Sequence, residues 1–196
     1  MKQEAQLKEV RRYIRSVFQY DTTGHDFEHM RRVAQIAKKI AIEEGADPFI
    51  CELAGWLHDI GDHKLFTDPA QEVNKMNACL TSIDITEKQR KQLHDIIHTV
   101  SFSKGLIPET KEGKIAQDAD RLDAIGAIGI ARTFQFGGAH NQLIYHEKQQ
   151  QTSIGHFYDK LLKIKDLIQT ATAKEIATER HLFMEKFLEQ FYKEWD

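Results

Sequence analysis

Apolar residues recur at three- and four-residue intervals along nearly the whole chain, a spacing that suits helices and little else. Leu7, Val10, Ile14, Val17 and Phe18 mark the first apolar face. Asp21, Thr22 and Thr23 interrupt it, and from Phe27 the pattern resumes as Met30, Val33, Ile36, Ala37, Ile40 and Ala41. It stops near Gly45, where Asp47–Pro48 reads as an N-cap followed by proline at the first helical position. The third segment, Phe49 to Ile60, is almost wholly apolar until it meets His58 and Asp59, and Gly61 is its expected terminator. A shorter helix is expected after Asp68–Pro69, and Thr86 with Gln89 reads as a capping box opening a helix through Leu93, Ile96, Ile97 and Val100.

The second half carries the same signal with more interruption. Residues 101–112 read as a loop closed by Gly113, and Lys114 to about Phe134 as a helix in which Gly126 and Gly129 allow close packing or a bend. Between Gly137 and Ser153 the periodicity collapses into a candidate mobile excursion, with Tyr145–Gln151 as an alternative exposed helical end. A long helix or helical pair then closes the chain, from Phe157 and Leu161 to Phe187, Leu188 and Phe191. No alternating strand pattern competes, and there is no repeat and no interdomain linker. The expectation is one all-α domain.

Size and charge narrow the function classes. A chain of 196 residues can bury roughly 70% of its extended surface, enough for a core without disulfides. Cys51 and Cys79 sit among apolar neighbours and read as small buried thiols, which fits a reducing, cytoplasmic setting. The first residues alternate charges and have no apolar signal core, and nothing approaches the ~20 apolar residues of a membrane span. Lysine and arginine number 27 against 30 acidic residues, a formal charge of −3, with no long basic block. Duplex nucleic acid is therefore not the expected partner.

Chemistry concentrates where polar residues interrupt apolar helices. His58–Asp59 ends an apolar segment, where an unpaired charge would be costly. Adjacent side chains on a helix point about 100° apart, so both can reach one ion only near the helix end. His29 shares a face with Val33, Ile36 and Ile40 and should point inward. Asp118 and Asp120 lie in the otherwise apolar stretch 115–130, and carboxylates so placed need cations, a metal or several donors. Imidazole and carboxylate together suit Mn²⁺, Fe²⁺, Co²⁺, Ni²⁺ or Zn²⁺. Taken singly, an inward histidine is more often a hydrogen-bonded core residue, and a His-Asp pair can be a cap. Spacing alone does not bring these segments together.

The order His…His-Asp…Asp resembles the HD-domain superfamily of metal-dependent phosphohydrolases, and more closely its bacterial YpgQ/YedJ-like hydrolases. The resemblance runs through GHDFEHMRRV at 24–33, LAGWLHDIGDHK at 53–64, HTVSFSKG at 98–105, QDADRLDAIGAIGIAR at 117–132 and GHFYDKLLKIKDLIQTATAK at 155–174. It implies an all-helical HD fold, with a metal-binding core over about residues 25–132 and a C-terminal helical extension. It also implies one divalent cation, manganese favoured and Fe, Co, Ni, Mg or Zn admissible. The substrate implied is a small phosphorylated molecule, for this branch a nucleoside triphosphate cleaved to monophosphate and pyrophosphate. Nucleotide phosphatase or phosphodiesterase activity is the same-class alternative, and a metal-bearing regulatory or binding protein the different-class one. A homo-oligomer is left open.

Carried over residue by residue, the resemblance places the ligands on His29, His58, Asp59 and Asp120. The Ala-Asp-x-Leu form at Ala119–Leu122 favours Asp120, with Asp118 as an alternative ligand or outer partner. Asp62 is implied near the attacking water as general base or orienting group, and His98 near the phosphate or leaving group, with His94 a lesser candidate. Lys64, Lys104 and Arg121 are candidate phosphate partners. His25 and Asp26 are expected to support the entrance to the His29 helix, Asp26 as an outer partner that orients a histidine. Lys160 and Lys163 are candidate phosphate contacts, and Phe157 or Tyr158 a base contact. Phe157, Leu161, Ile164 and Ile168 also make ordinary core spacing.

Overall fold

The computed structural model describes residues 2–21, 24–100 and 105–195. It is all-α, with no strand among those residues. Two compact units divide the chain, residues 1–120 and 121–196.

The first unit holds α1 (Lys2–Phe18), α2 (Phe27–Glu44), α3 (Pro48–Leu57), α4 (Pro69–Ser82), α5 (Glu87–Val100) and most of α6 (Lys111–Asp123). Local chemistry sets the boundaries. Asp26 caps α2 by accepting from the His29 N–H, and Gly45 ends the helix with φ 65°. Asp47 accepts from Phe49 and Ile50 N–H ahead of Pro48. Asp68 caps α4 ahead of Pro69. Thr86 and Gln89 close the capping box, Gln89 N–H donating to Thr86 Oγ1 at 3.3 Å and Thr86 N–H to Gln89 Oε1 at 3.1 Å.

Every residue of α3 after Pro48 is buried, Glu52 included, so this is the central helix of the unit. Leu7, Val10 and Ile14 of α1, Met30 and Ala34 of α2, and Leu93 and Ile96 of α5 join its core. At roughly 1.5–3 kcal/mol per fully buried aliphatic side chain, this cluster is what holds the unit together. Gly55 sets the distance between α2 and α3. A Cβ there would stand 2.5 Å from Ala34 Cα, so only glycine lets the two backbones meet. Further along, Gln117 Nε2 ties α6 to the carbonyls of Thr99 (2.8 Å) and Leu106 (2.9 Å).

The second unit contains α7 (Gly126–Ala139), α8 (Ser153–Asp159), a 3₁₀ helix (Leu161–Leu167) and α9 (Ala171–Trp195). The helix expected from Lys114 to Phe134 is two helices, broken at Ala124–Ile125, with Gly126 at φ 78°. Its start lies earlier than expected, because Thr110 caps it: Gly113 N–H donates to Thr110 Oγ1 at 3.1 Å. Gly113 thus sits inside the first turn of α6. Residues 145–151 form turns and bends, not a helical end, and the stretch is pinned where Ser153 and Ile154 N–H donate to the Leu143 and Ile144 carbonyls. Phe134, Phe157 and Phe187 make the aromatic core of this unit, with centroids 5.7–6.2 Å apart. Among the described residues, no helix is long and apolar enough to cross a membrane.

Candidate metal centre

The α3 helix ends at Leu57, three residues sooner than the apolar pattern suggested, and the chain turns through His58–Gly61. That early end lets two consecutive side chains face one point. His58 Nδ1 lies 2.9 Å from the Gly55 carbonyl. A carbonyl only accepts, so Nδ1 carries a proton and Nε2 is the nitrogen left for a cation or a second proton. His58 Nε2 is buried and has no hydrogen-bond partner among the described residues.

Three residues surround it. His58 Nε2 stands 3.3 Å from Asp59 Oδ1 and 3.6 Å from Asp120 Oδ1. His29 Nε2 lies 3.7 Å from Asp59 Oδ2 and 3.7 Å from Asp120 Oδ1. The two rings meet edge to face at 5.1 Å. Most of these separations are long for hydrogen bonds. They approach, from slightly above, the roughly 3.0–3.5 Å that separates donors sharing one cation at ~2.0–2.2 Å. His29, His58 and Asp120 thus form a group able to hold a metal ion, and His25, His29 and Asp59 form a second that shares His29. The site fits a divalent cation with mixed nitrogen and oxygen ligands.

Electrostatics agree with that geometry. Burial opposes charge on His58, but Asp59 and Asp120 outweigh it and push its pKa up to about 9. Burial would raise both carboxyls, yet the neighbouring imidazoles hold Asp59 and Asp120 below the usual carboxylate range. For His25 burial is likewise outweighed by Asp59, and its pKa is raised. Ionised acids are thus ringed by imidazoles that attract protons, an arrangement a divalent cation can replace.

The other candidates fall as follows. Asp118 is fully buried on α6, and the metal-capable groups among the described residues do not include it. Asp26 accepts from the His29 backbone N–H at 2.7 Å, which is the N-cap bond of α2. Asp62 sits in the turn after Asp59, its Oδ1 accepting from the Lys64 N–H at 2.9 Å, and Lys64 is exposed. His98 is exposed near the end of α5, whereas the His94 ring is tied to Asn77 Oδ1 at 2.6 Å. Lys104 lies outside the described residues. In the second unit Arg121 Nη1 donates to the Leu167 carbonyl at 2.5 Å, Lys160 is half-buried at the end of α8, and Lys163 is exposed on the 3₁₀ helix. Phe157 is a correction. Its ring is 0% exposed between Phe134 and Phe187, so it has no face to offer a base, and the core spacing decided its place. Tyr158 beside it is exposed.

One contact was not legible in the sequence as a site feature. His25 Nδ1 lies 2.7 Å from Asp59 Oδ2. The available signal was the place of His25 just ahead of the Asp26 cap, where the chain enters α2.

The HD domain family matches residues 26–125, a span that includes all four converging residues. YpgQ of Bacillus subtilis is 39% identical over 99% of this chain and 96% of its own length. The chain belongs to the HD-domain family. Its solved relatives in this family agree over the whole length. The structure of B. subtilis YpgQ in complex with ADP is 39% identical, covering 99% of this chain and 97% of that one, with a TM-score of 0.87. An HD-superfamily hydrolase from Bacillus thuringiensis is 42% identical over 100% of this chain and 98% of its own, with a TM-score of 0.83. This HD protein therefore stands among HD-superfamily hydrolases, with a His/Asp cluster able to hold a divalent metal.

Proposed function

We propose that the chain is a divalent-metal-dependent phosphohydrolase that converts nucleoside triphosphates to monophosphates with release of pyrophosphate. The observation that carries this reading is the convergence of His29, His58, Asp59 and Asp120 on one point at the end of α3. The ADP bound by the similar YpgQ supports a nucleotide as the substrate class. His29, His58, Asp59 and Asp120 would hold one ion, manganese favoured. Such an ion, when bound, lowers the pKa of coordinated water and offsets charge on phosphate oxygens.

The side chains supply direction. The Gly55 carbonyl accepts from His58 Nδ1–H, so Nε2 is the nitrogen left for the ion. Asp62, its carboxylate held by the Lys64 N–H, orients the attacking water and takes its proton. His98 serves the departing pyrophosphate. Lys64, in the turn after Asp59, is the cation assigned to phosphate oxygens. Two unpaired thiols, Cys51 buried and Cys79 half-buried, accord with a cytoplasmic setting.

The test is incubation of Mn²⁺-loaded protein with nucleoside tri-, di- and monophosphates, resolving pyrophosphate from orthophosphate by chromatography. Monophosphate and pyrophosphate from a triphosphate are expected. Orthophosphate as the sole primary product would replace this reading with a phosphatase, and no turnover in any metal would leave a binding or regulatory protein.

A further inference from the structure

We infer that His25 is a positioning residue, locking the Asp59 carboxylate in the orientation that metal binding requires. The inference rests on the metal-dependent reading above. His25 stands immediately before the span matched by the HD family. Its Nδ1 is 2.7 Å from Asp59 Oδ2, and because a carboxylate oxygen accepts, Nδ1–H donates.

Distance separates this contact from the others in the cluster. His29 Nε2 and His58 Nε2 each keep 3.3–3.7 Å from an oxygen of Asp59 and from Asp120 Oδ1, longer than the His25 contact. His25 to Asp59 is a hydrogen bond of charge-assisted length. Asp59 follows the end of α3, on a turn where its carboxylate plane can rotate about one torsion. Oδ1 must face His58 Nε2 while Oδ2 faces His29 Nε2, and a donor on Oδ2 holds that plane. His25 is held in turn: its N–H donates to Asp21 Oδ1 at 3.2 Å, and its ring meets the His29 ring edge-on at 5.5 Å and 90°. A chain of orientation thus runs from the turn at Asp21, through His25, to a metal-binding carboxylate. The His25 side chain is 38% exposed, so it can be replaced without opening the core.

The test is calorimetric titration of Mn²⁺ into chelator-stripped wild type, H25A, H25N and H58A, with a thermal melt of each. Roughly 10–100-fold weaker Mn²⁺ binding is expected for H25A. H25N, whose side-chain amide offers an N–H near the place of Nδ1–H, should recover most of the loss. H58A should bind Mn²⁺ more than roughly 100-fold more weakly. Metal-free H25A should remain folded but melt below the wild type, having lost a hydrogen bond to a buried carboxylate, with H25N between the two. Wild-type affinity in H25A would overturn the positioning role and leave the metal reading intact. H25N as weak as H25A would overturn it too, making the imidazole itself a ligand. Failure of wild type to bind Mn²⁺ would overturn the metal reading, and the positioning role with it.

Discussion

The central helix α3 carries two buried clusters of charge, one in its middle and one just past its end, and they are solved in opposite ways. Glu52 meets Arg11 Nη2 at 3.0 Å and Lys38 Nζ at 2.9 Å, so a single buried acid is matched by cations of the chain itself. Past the helix end, Asp59 and Asp120 face His25, His29 and His58, and no lysine or arginine pairs with either acid among the described residues. Burying an ion without a partner costs several kcal/mol. The first cluster is complete as built. The second is completed by protons or by a cation, and that difference separates a closed ion pair from a cluster able to take up a metal.

The largest effect should come from cutting into the second cluster. H58A and D120N should each weaken Mn²⁺ binding and hydrolysis by more than the roughly 100-fold that an outer partner is worth, measured by metal content and turnover. D118N should keep its ion, and loss of the ion in D118N with retention in D120N would move the fourth ligand to Asp118. Next, G55A forces a Cβ against the Ala34 backbone and drives apart the two helices that bring His29 and His58 together. A stability loss of about 1–3 kcal/mol or more is expected in urea melts, accompanied by weaker metal binding. The first cluster should respond differently. E52Q should cost about 1–2 kcal/mol, less than a fully buried pair, because the Arg11 and Lys38 side chains are 36% and 45% exposed and water can take them up. Its Mn²⁺ affinity should match wild type. An E52Q protein that lost its metal would erase the contrast between the two ends of α3.

Protons give the mildest probe. The His58 pKa is raised from 6.5 to about 9, so at neutral pH protons compete with the cation for the same nitrogen. Mn²⁺ affinity should therefore fall as pH falls below about 9, by about tenfold per unit where one proton is displaced. Titrations in buffers of different ionisation enthalpy would count that proton. A flat profile between pH 6.5 and 9 would mean that His58 is not protonated in the metal-free site.

Helices and their caps were legible because they are local. Asp47–Pro48, Asp68–Pro69 and Thr86 with Gln89 each satisfy N–H groups within one turn, and all open helices where the sequence says they should. The four converging residues were legible only through the order of motifs in a resembling family, since nothing in the spacing says that α2, α3 and α6 meet. Two kinds of information were out of reach. The contact of His25 with Asp59 joins residues 34 apart and depends on where α3 stops. The break before Gly126 depends on tertiary packing, for a Cβ there would press into Arg180 within the second unit. Phe157 carried both a core and a substrate signal, and the ring went to the larger apolar contact with Phe134 and Phe187.

The most direct test is anomalous diffraction at the manganese edge from crystals grown with Mn²⁺. One peak per chain is expected, enclosed by His29 Nε2, His58 Nε2 and the carboxylates of Asp59 and Asp120, with His25 on Asp59 and outside the coordination sphere. No peak there, or a peak held elsewhere while those four residues pair only with one another, would contradict it.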